Sequence, residues 1–219
     1  MTGKGAHRDM KHAADFFSAD ERELIRQAVH AAEASTSGEI ATMVVDESDP
    51  YHDAIVLGGI LFAGLLAMVA AIVLQHITIW FYIPAVFLLY MPCRALFVRV
   101  PVLKLPLLTR DRIDRAVRDR AVRAFYEKGL YRTRHATGIL LFISLLERKV
   151  WILGDRGIND KIPSSSWQGL AHELSAGLRE GRACEALCAV VGKCGAALKE
   201  HFPHTPDDLN ELPDDVITS

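Results

Sequence analysis

The sequence predicts an α/β domain with a small mixed sheet of three to four strands, packed with helices and interrupted by a two-helix transmembrane hairpin. Three observations carry this expectation. First, the 40 positions from Ala54 to Cys93 contain no Asp, Glu, Lys or Arg. Second, apolar runs rich in β-branched and aliphatic residues, at Glu39–Val45, Thr137–Leu146 and Lys149–Leu153, read as strands on both sides of that stretch. Third, segments with apolar residues at helical spacing alternate with these runs, as in a layered α/β domain.

The 219 residues are 50% hydrophobic with a formal net charge of −2, which suits one modest domain plus membrane segments. Neither half is uniformly basic, so no nucleic-acid partner is expected. The first 17 residues hold no apolar run of a secretory signal, and no lipidation box is present. Without an export signal, Cys93, Cys184, Cys188 and Cys194 read as reduced thiols.

A helix crossing the hydrocarbon core needs about 20 apolar residues. Residues 54–74 and 77–97 each supply such a span, joined by Gln75 and His76 as the turn of a hairpin over 54–98. A helical pair in a soluble protein shows a polar face, and these spans show none. Trp80, Tyr82 and Tyr90 are candidate interfacial anchors, and Pro84 and Pro92 bend the second span. The turn has no basic residue, whereas Arg94, Arg99, Lys104, Arg110, Arg112, Arg115 and further arginines follow the second span. The positive-inside rule therefore predicts an inner or plasma membrane protein with both termini cytoplasmic and the bilayer as a partner. Residues 99–108 mix apolar residues with isolated charges, as an interfacial linker or a plain one would. Gly58, Gly59, Ala63, Gly64 and Ala67 line one face of the first span, for packing against the second span or against another copy, with the former preferred.

One helix and one strand cannot bury a core, so the parts before and after the hairpin must fold together. Residues 1–16 are expected to be flexible and 17–53 to form the first part. There Ser18-Ala-Asp-Glu21 is a capping box for a helix over 18–35, with Leu24, Ala28, Ala31 and Ala32 facing inward. Residues 109–202 form the second part. A charged helix over 109–128 carries an apolar stripe of Ile113, Val117, Ala121 and Ala124. Glu147-Arg148 turns a β-hairpin, Ser165-Ser-Trp-Gln168 is a second capping box, and helices run to Glu180 and over 183–201. The proline-containing acidic tail, 203–219, is expected to be disordered.

The ordered set Ser37-Gly-Glu-Ile40, Ala124-Phe125, Gly129-Leu130 with Thr133, Thr137-Gly-Ile-Leu-Leu141, Glu147-Arg-Lys-Val150, Gly154-Asp-Arg-Gly-Ile158 and Leu178-Arg-Glu-Gly-Arg182 resembles the TPM domain family, often labelled TPM phosphatase. The resemblance covers Phe17–Val45 and Arg110–Phe202. It implies an α/β sandwich. It also implies functions that vary among members: acid phosphatase activity, calcium binding by acidic residues near strand ends, or assembly, repair and regulation of membrane complexes. The hairpin inside the domain departs from the layout of many relatives, which have a signal peptide and one anchor outside it.

If the ends of the first and third strands are adjacent, Glu39, Asp46, Asp155, Asn159 and Asp160 could share a hard cation, calcium or magnesium. Arg148 or Arg156 could then hold a phosphate. The alternative is that these residues form turns and helix caps. No phosphate-binding glycine loop, nucleophile elbow or dinucleotide fingerprint occurs. The expected function is a non-catalytic binding or assembly module for a membrane protein complex, and the alternative is a weak divalent-metal-dependent acid phosphatase.

Overall fold

The computed structural model describes residues 12–75, 78–133, 136–204 and 214–218. The chain divides into two compact units, 1–48 with 116–219, and 49–115.

In the first unit, α1 (Ala13–Phe16) and α2 (Ala19–Glu33) precede β1 (Glu39–Val45). The Ser18 box forms as its sequence requires: the Ser18 hydroxyl accepts the Glu21 N–H, and the Glu21 carboxylate accepts the Ser18 N–H. The buried face of α2 is rotated from expectation. Ile25, Val29 and Ala32 are buried, while Leu24 is 54% exposed. Branched Ile25 and Val29, four apart, fill the core better than the alanine-rich face beside them. α1 corrects the expectation of a wholly flexible N-terminus, because Ala13 and Phe17 enter the core.

Helix α5 (Arg110–Glu127) begins in the other unit, and its residues from Ala116 onward belong to this one. It buries Ala116, Val117, Ala121, Ala124 and Phe125, leaving Ile113 only half-buried. Arg115 Nε donates to the Asp111 carbonyl oxygen, 3.2 Å away. β2 (Gly138–Ser144) and β3 (Lys149–Gly154) follow, then α6 (Arg156–Asn159), α7 (Ser164–Glu180), α8 (Ala183–His201) and β4 (Ile217–Thr218). Pro163 takes the N-cap position of α7, so the expected Ser165 box does not form.

The sheet order is β3-β2-β1-β4, a mixed four-stranded sheet. β1 runs parallel to β2, with Glu39 opposite Gly138 and Val45 opposite Ser144. β3 runs antiparallel to β2, with Gly154 opposite Ile139 and Lys149 opposite Ser144. β1 and β2 are buried along their whole length because both faces are covered. Ile40, Val44, Ile139, Leu141, Ile143, Val150 and Ile152 share one core with Ile25 and Val29 of α2, Leu174 of α7, and Leu187, Val191 and Leu198 of α8. On the opposite face Leu130, just beyond α5, packs on Gly138. β4 pairs parallel with β1 through Met43 and Val44. It corrects the expectation of a fully disordered tail, and residues 205–213 lie outside the described residues.

In the second unit, α3 (His52–Val73) and α4 (Ile79–Arg99) form the two expected apolar helices. Gln75 of the predicted turn adopts φ 55°, and His76 lies outside the described residues. The small residues of α3 do the packing within the hairpin. Gly58, Gly59, Ala63 and Ala67 are buried, and a Cβ on Gly59 would stand 3.2 Å from the Tyr90 ring and 3.4 Å from the Arg94 Cα. A Cβ on Gly58 would collide with the Phe97 ring. Tyr82 also contacts α3, its hydroxyl donating to the Gly64 carbonyl at 3.4 Å, whereas Trp80 is 87% exposed. Residues 101–107 form a 3-10 helix. Its Lys104 is buried, with Nζ donating to the Pro50 carbonyl at 3.1 Å. Arg112 bonds Asp49 at 3.3 Å and lies over the Tyr51 ring.

Candidate functional site

The strand directions decide which candidate residues can meet. Because β1 and β2 are parallel and β3 returns antiparallel, the end of β3 lies beside the starts of β1 and β2. Asp155, Asn159, Asp160 and Arg156 therefore share an end of the sheet with Glu39. Asp46 lies at the other end, about 23 Å along β1 from Glu39 at strand spacing. The expected five-residue cation site is thus split, since the ends of β1 and β3 are opposite rather than adjacent. Arg148 sits in the β2–β3 turn at Asp46's end, with φ 52°, so it cannot join Arg156 around one phosphate.

At the first end, Glu39 is 7% exposed and sits on the same sheet face as Gly138. Asp155 caps α6: its Oδ1 accepts the Arg156 N–H at 2.6 Å, and its own N–H donates to the Gly138 carbonyl at 2.8 Å. Its Oδ2 is buried, with no hydrogen-bond partner among the described residues. Asn159 Nδ2 donates to the Gly154 carbonyl at 2.6 Å. Asp160 and Arg156 stand 4.0 Å apart with side chains 70% and 90% exposed, a solvated pair of little energetic weight. Glu39 and Asp155 are two strand spacings apart, about 10 Å. The gap over Gly138 is filled by the Leu130 carbonyl oxygen, 2.7 Å from where a Cβ would be. Calcium takes six to eight oxygens at short range. Among the described residues, no three His, Cys, Asp or Glu side chains come close enough to hold one ion. The residues present do not fit a calcium or magnesium site built from side chains.

At the second end, Asp46 ties down the N-terminus. It accepts the Ala13 N–H at 2.5 Å and pairs with the His12 ring at 3.0 Å. The hydrogen bond and charge of Asp46 raise the pKa of exposed His12. Beside it lies a hydrogen-bonded network that the sequence did not announce. Glu147 Oε1 accepts the Ser48 N–H at 3.0 Å, the Ser144 hydroxyl donates to Glu147 Oε2, and the Ser48 hydroxyl donates to Ser144 at 2.9 Å. A hydroxyl on a carboxylate is the beginning of a nucleophile–base pair. Ser144, however, is fully buried, so no substrate reaches it. The network fastens the chain leaving β1 to the β2–β3 turn. Two polar residues closing an apolar run, Ser144 and Glu147, were its sole trace in the sequence.

Elsewhere, Glu33 Oε1 accepts the Ile40 N–H at 2.7 Å. Burial pushes this carboxyl up to about 8; the Ile40 bond opposes the shift, and the charges of Glu39 and Asp214 add to it. Burial also raises the thiols of Cys184, to about 11, Cys188 and Cys194, and Cys184 Sγ donates to the Glu21 carbonyl at 3.7 Å. These are neutral packing groups rather than nucleophiles.

Fold and site together define a mixed α/β module whose charged strand-end residues serve as caps and ties, joined in sequence to a pair of apolar helices. Residues 104–197 match the TPM domain. Residues 17–45 of the expected resemblance lie outside that match, although β1 stands in the same sheet. The solved structure of the BA42 protein from the psychrophilic bacterium Bizionia argentinensis is similar in fold, with a TM-score of 0.59 at 20% identity over 93% of this chain and 96% of that one. No curated protein matches the chain.

Proposed function

We propose that this is a two-span protein of the inner or plasma membrane, both termini cytoplasmic, whose TPM-like domain is a non-catalytic module for binding or assembling a membrane protein complex. One observation carries the membrane reading. The apolar helices are not covered: 33% of the most apolar window of α3 and 11% of that of α4 is buried. Leu61, Phe87, Leu88 and Met91 are 56%, 75%, 78% and 68% exposed. Exposing so much contiguous apolar surface to water is costly, and a bilayer removes that cost. The excess of Arg after α4 supports the orientation. The separation of the acidic residues to opposite sheet ends supports a module without catalysis.

The test is carbonate extraction of membranes followed by labelling with an impermeant maleimide in a cysteine-free background. Gln75→Cys is expected to label from outside the cell and Ser18→Cys only after lysis. Release of the protein by carbonate would refute the membrane reading. The acid phosphatase reading retains one favourable observation, the buried Asp155 Oδ2 with no hydrogen-bond partner among the described residues. Saturable calcium or magnesium binding lost in Asp155→Asn, with metal-dependent phosphomonoester turnover, would establish it in place of the module.

A further inference from the structure

The basic residues at the base of the hairpin fall into two groups. Lys104 and Arg112 turn inward and are consumed by the Pro50 carbonyl and by Asp49. Arg94, Arg99 and Arg110 are exposed, and among the described residues no hydrogen bond or ion pair engages them. Between and beside them, Leu96, Val98, Val100, Val102 and Leu103 are 39%, 49%, 40%, 46% and 37% exposed. This apolar surface continues that of α4 through the turn at Val100 into the 3-10 helix, so oily and cationic groups alternate along one short stretch.

From this alternation we infer that the segment from Arg94 to Arg110 is a binding surface for anionic phospholipid: Val98, Val100, Val102 and Leu103 enter the acyl boundary, and Arg94, Arg99 and Arg110 receive headgroup phosphates. The inference rests on the reading of α3 and α4 as membrane spans. Its charge argument is direct. A cation at the surface of an anionic leaflet gains about 1 kcal/mol, roughly a five-fold preference per residue. Guanidinium groups bind phosphate oxygens through paired N–H donors. The inward pair contributes little to this preference because Lys104 is buried and Arg112 is paired with Asp49. The 3-10 geometry suits the role, since a helix lying in the interface with aliphatic residues on one side anchors at headgroup depth.

The test uses the full chain in nanodiscs of phosphatidylcholine containing one-fifth phosphatidylglycerol, with carbonate extraction from cell membranes run first. Lipid retained after detergent exchange is counted by mass spectrometry. The wild type is expected to enrich phosphatidylglycerol over phosphatidylcholine more than ten-fold. Changing Arg94, Arg99 and Arg110 to Gln is expected to bring the ratio to the bulk value, and changing all three to Lys to preserve most of it. The Lys variant guards against a loss caused by misfolding. Carbonate-resistant protein with no phosphatidylglycerol enrichment overturns the inference while leaving the spans intact. Enrichment that survives the Gln substitutions overturns it equally. Protein extracted by carbonate overturns both readings.

Discussion

Replacing Glu33 by Gln should flatten the dependence of stability on pH, in a window set by two values. In the unfolded chain the carboxyl ionises near its ordinary 4.5; in the fold, burial first and the charges of Glu39 and Asp214 after it hold the proton until about pH 8. Below 4.5 both states carry the proton and pH has no effect through this group. Between 4.5 and 8 the folded state keeps a proton that the unfolded state has lost, so stability falls as pH rises. Above 8 both are ionised and the loss is complete. The interval corresponds to at most about 5 kcal/mol. Because Glu33 is only partly buried, screening by water reduces this to about 2–3 kcal/mol. Gln keeps an oxygen for the Ile40 N–H and offers its amide to Asp214, without an ionisable proton. Thermal melts of wild type and Glu33→Gln at pH 4.5, 6, 7 and 8.5 read the difference. The variant should be nearly equal to wild type at pH 4.5 and gain about 5–10 °C relative to it by pH 8.5. A difference that stays constant with pH would refute the reasoning, as would one that grows toward low pH.

Other substitutions probe the ties and the hairpin. Glu147→Ala leaves the Ser48 N–H and Ser144 hydroxyl without their buried acceptor and should cost about 2–4 kcal/mol, seen as a lower urea midpoint. Lys104→Ala strips the Pro50 carbonyl of its donor and should cost about 1–3 kcal/mol of stability, seen as a lower melting temperature in detergent. Gly58→Leu drives a side chain into the Phe97 ring and should abolish the close approach of α3 and α4, read as loss of a cross-link between cysteines engineered on facing turns. Asp155→Ala removes a helix cap and should cost about 1 kcal/mol, with calorimetric calcium and magnesium titrations unchanged from wild type.

The elements that local chemistry determines were legible in the chain. β1 occupies Glu39–Val45 as expected, because an alternating β-branched run bounded by Gly38 and Asp46 has one favourable conformation. The Ser18 box and the helix stop at Gly181 follow equally local rules. The site was less legible. Whether Asp46 and Asp155 meet depends on which strands pair and in which direction, and neither residue carries that information. β4 was hidden for the same reason: Ile217 and Thr218 form a strand only because Met43 and Val44 offer an edge. In α2, helical spacing allowed two adjacent faces, and packing of Ile25 and Val29 chose between them.

The hairpin lies inside the crossover between β1 and β2, two neighbours in the sheet. A ribosome making this chain delivers β1 long before its partner exists. On the reading proposed above, the nascent chain commits to the bilayer in between, and the sheet closes only when residues 138–144 emerge on the same side. A chain that failed to insert would leave both central strands with open edges and the apolar helices in water. On that reading biogenesis and anchoring of the domain are one event, and cutting the gene at the hairpin should yield no folded half.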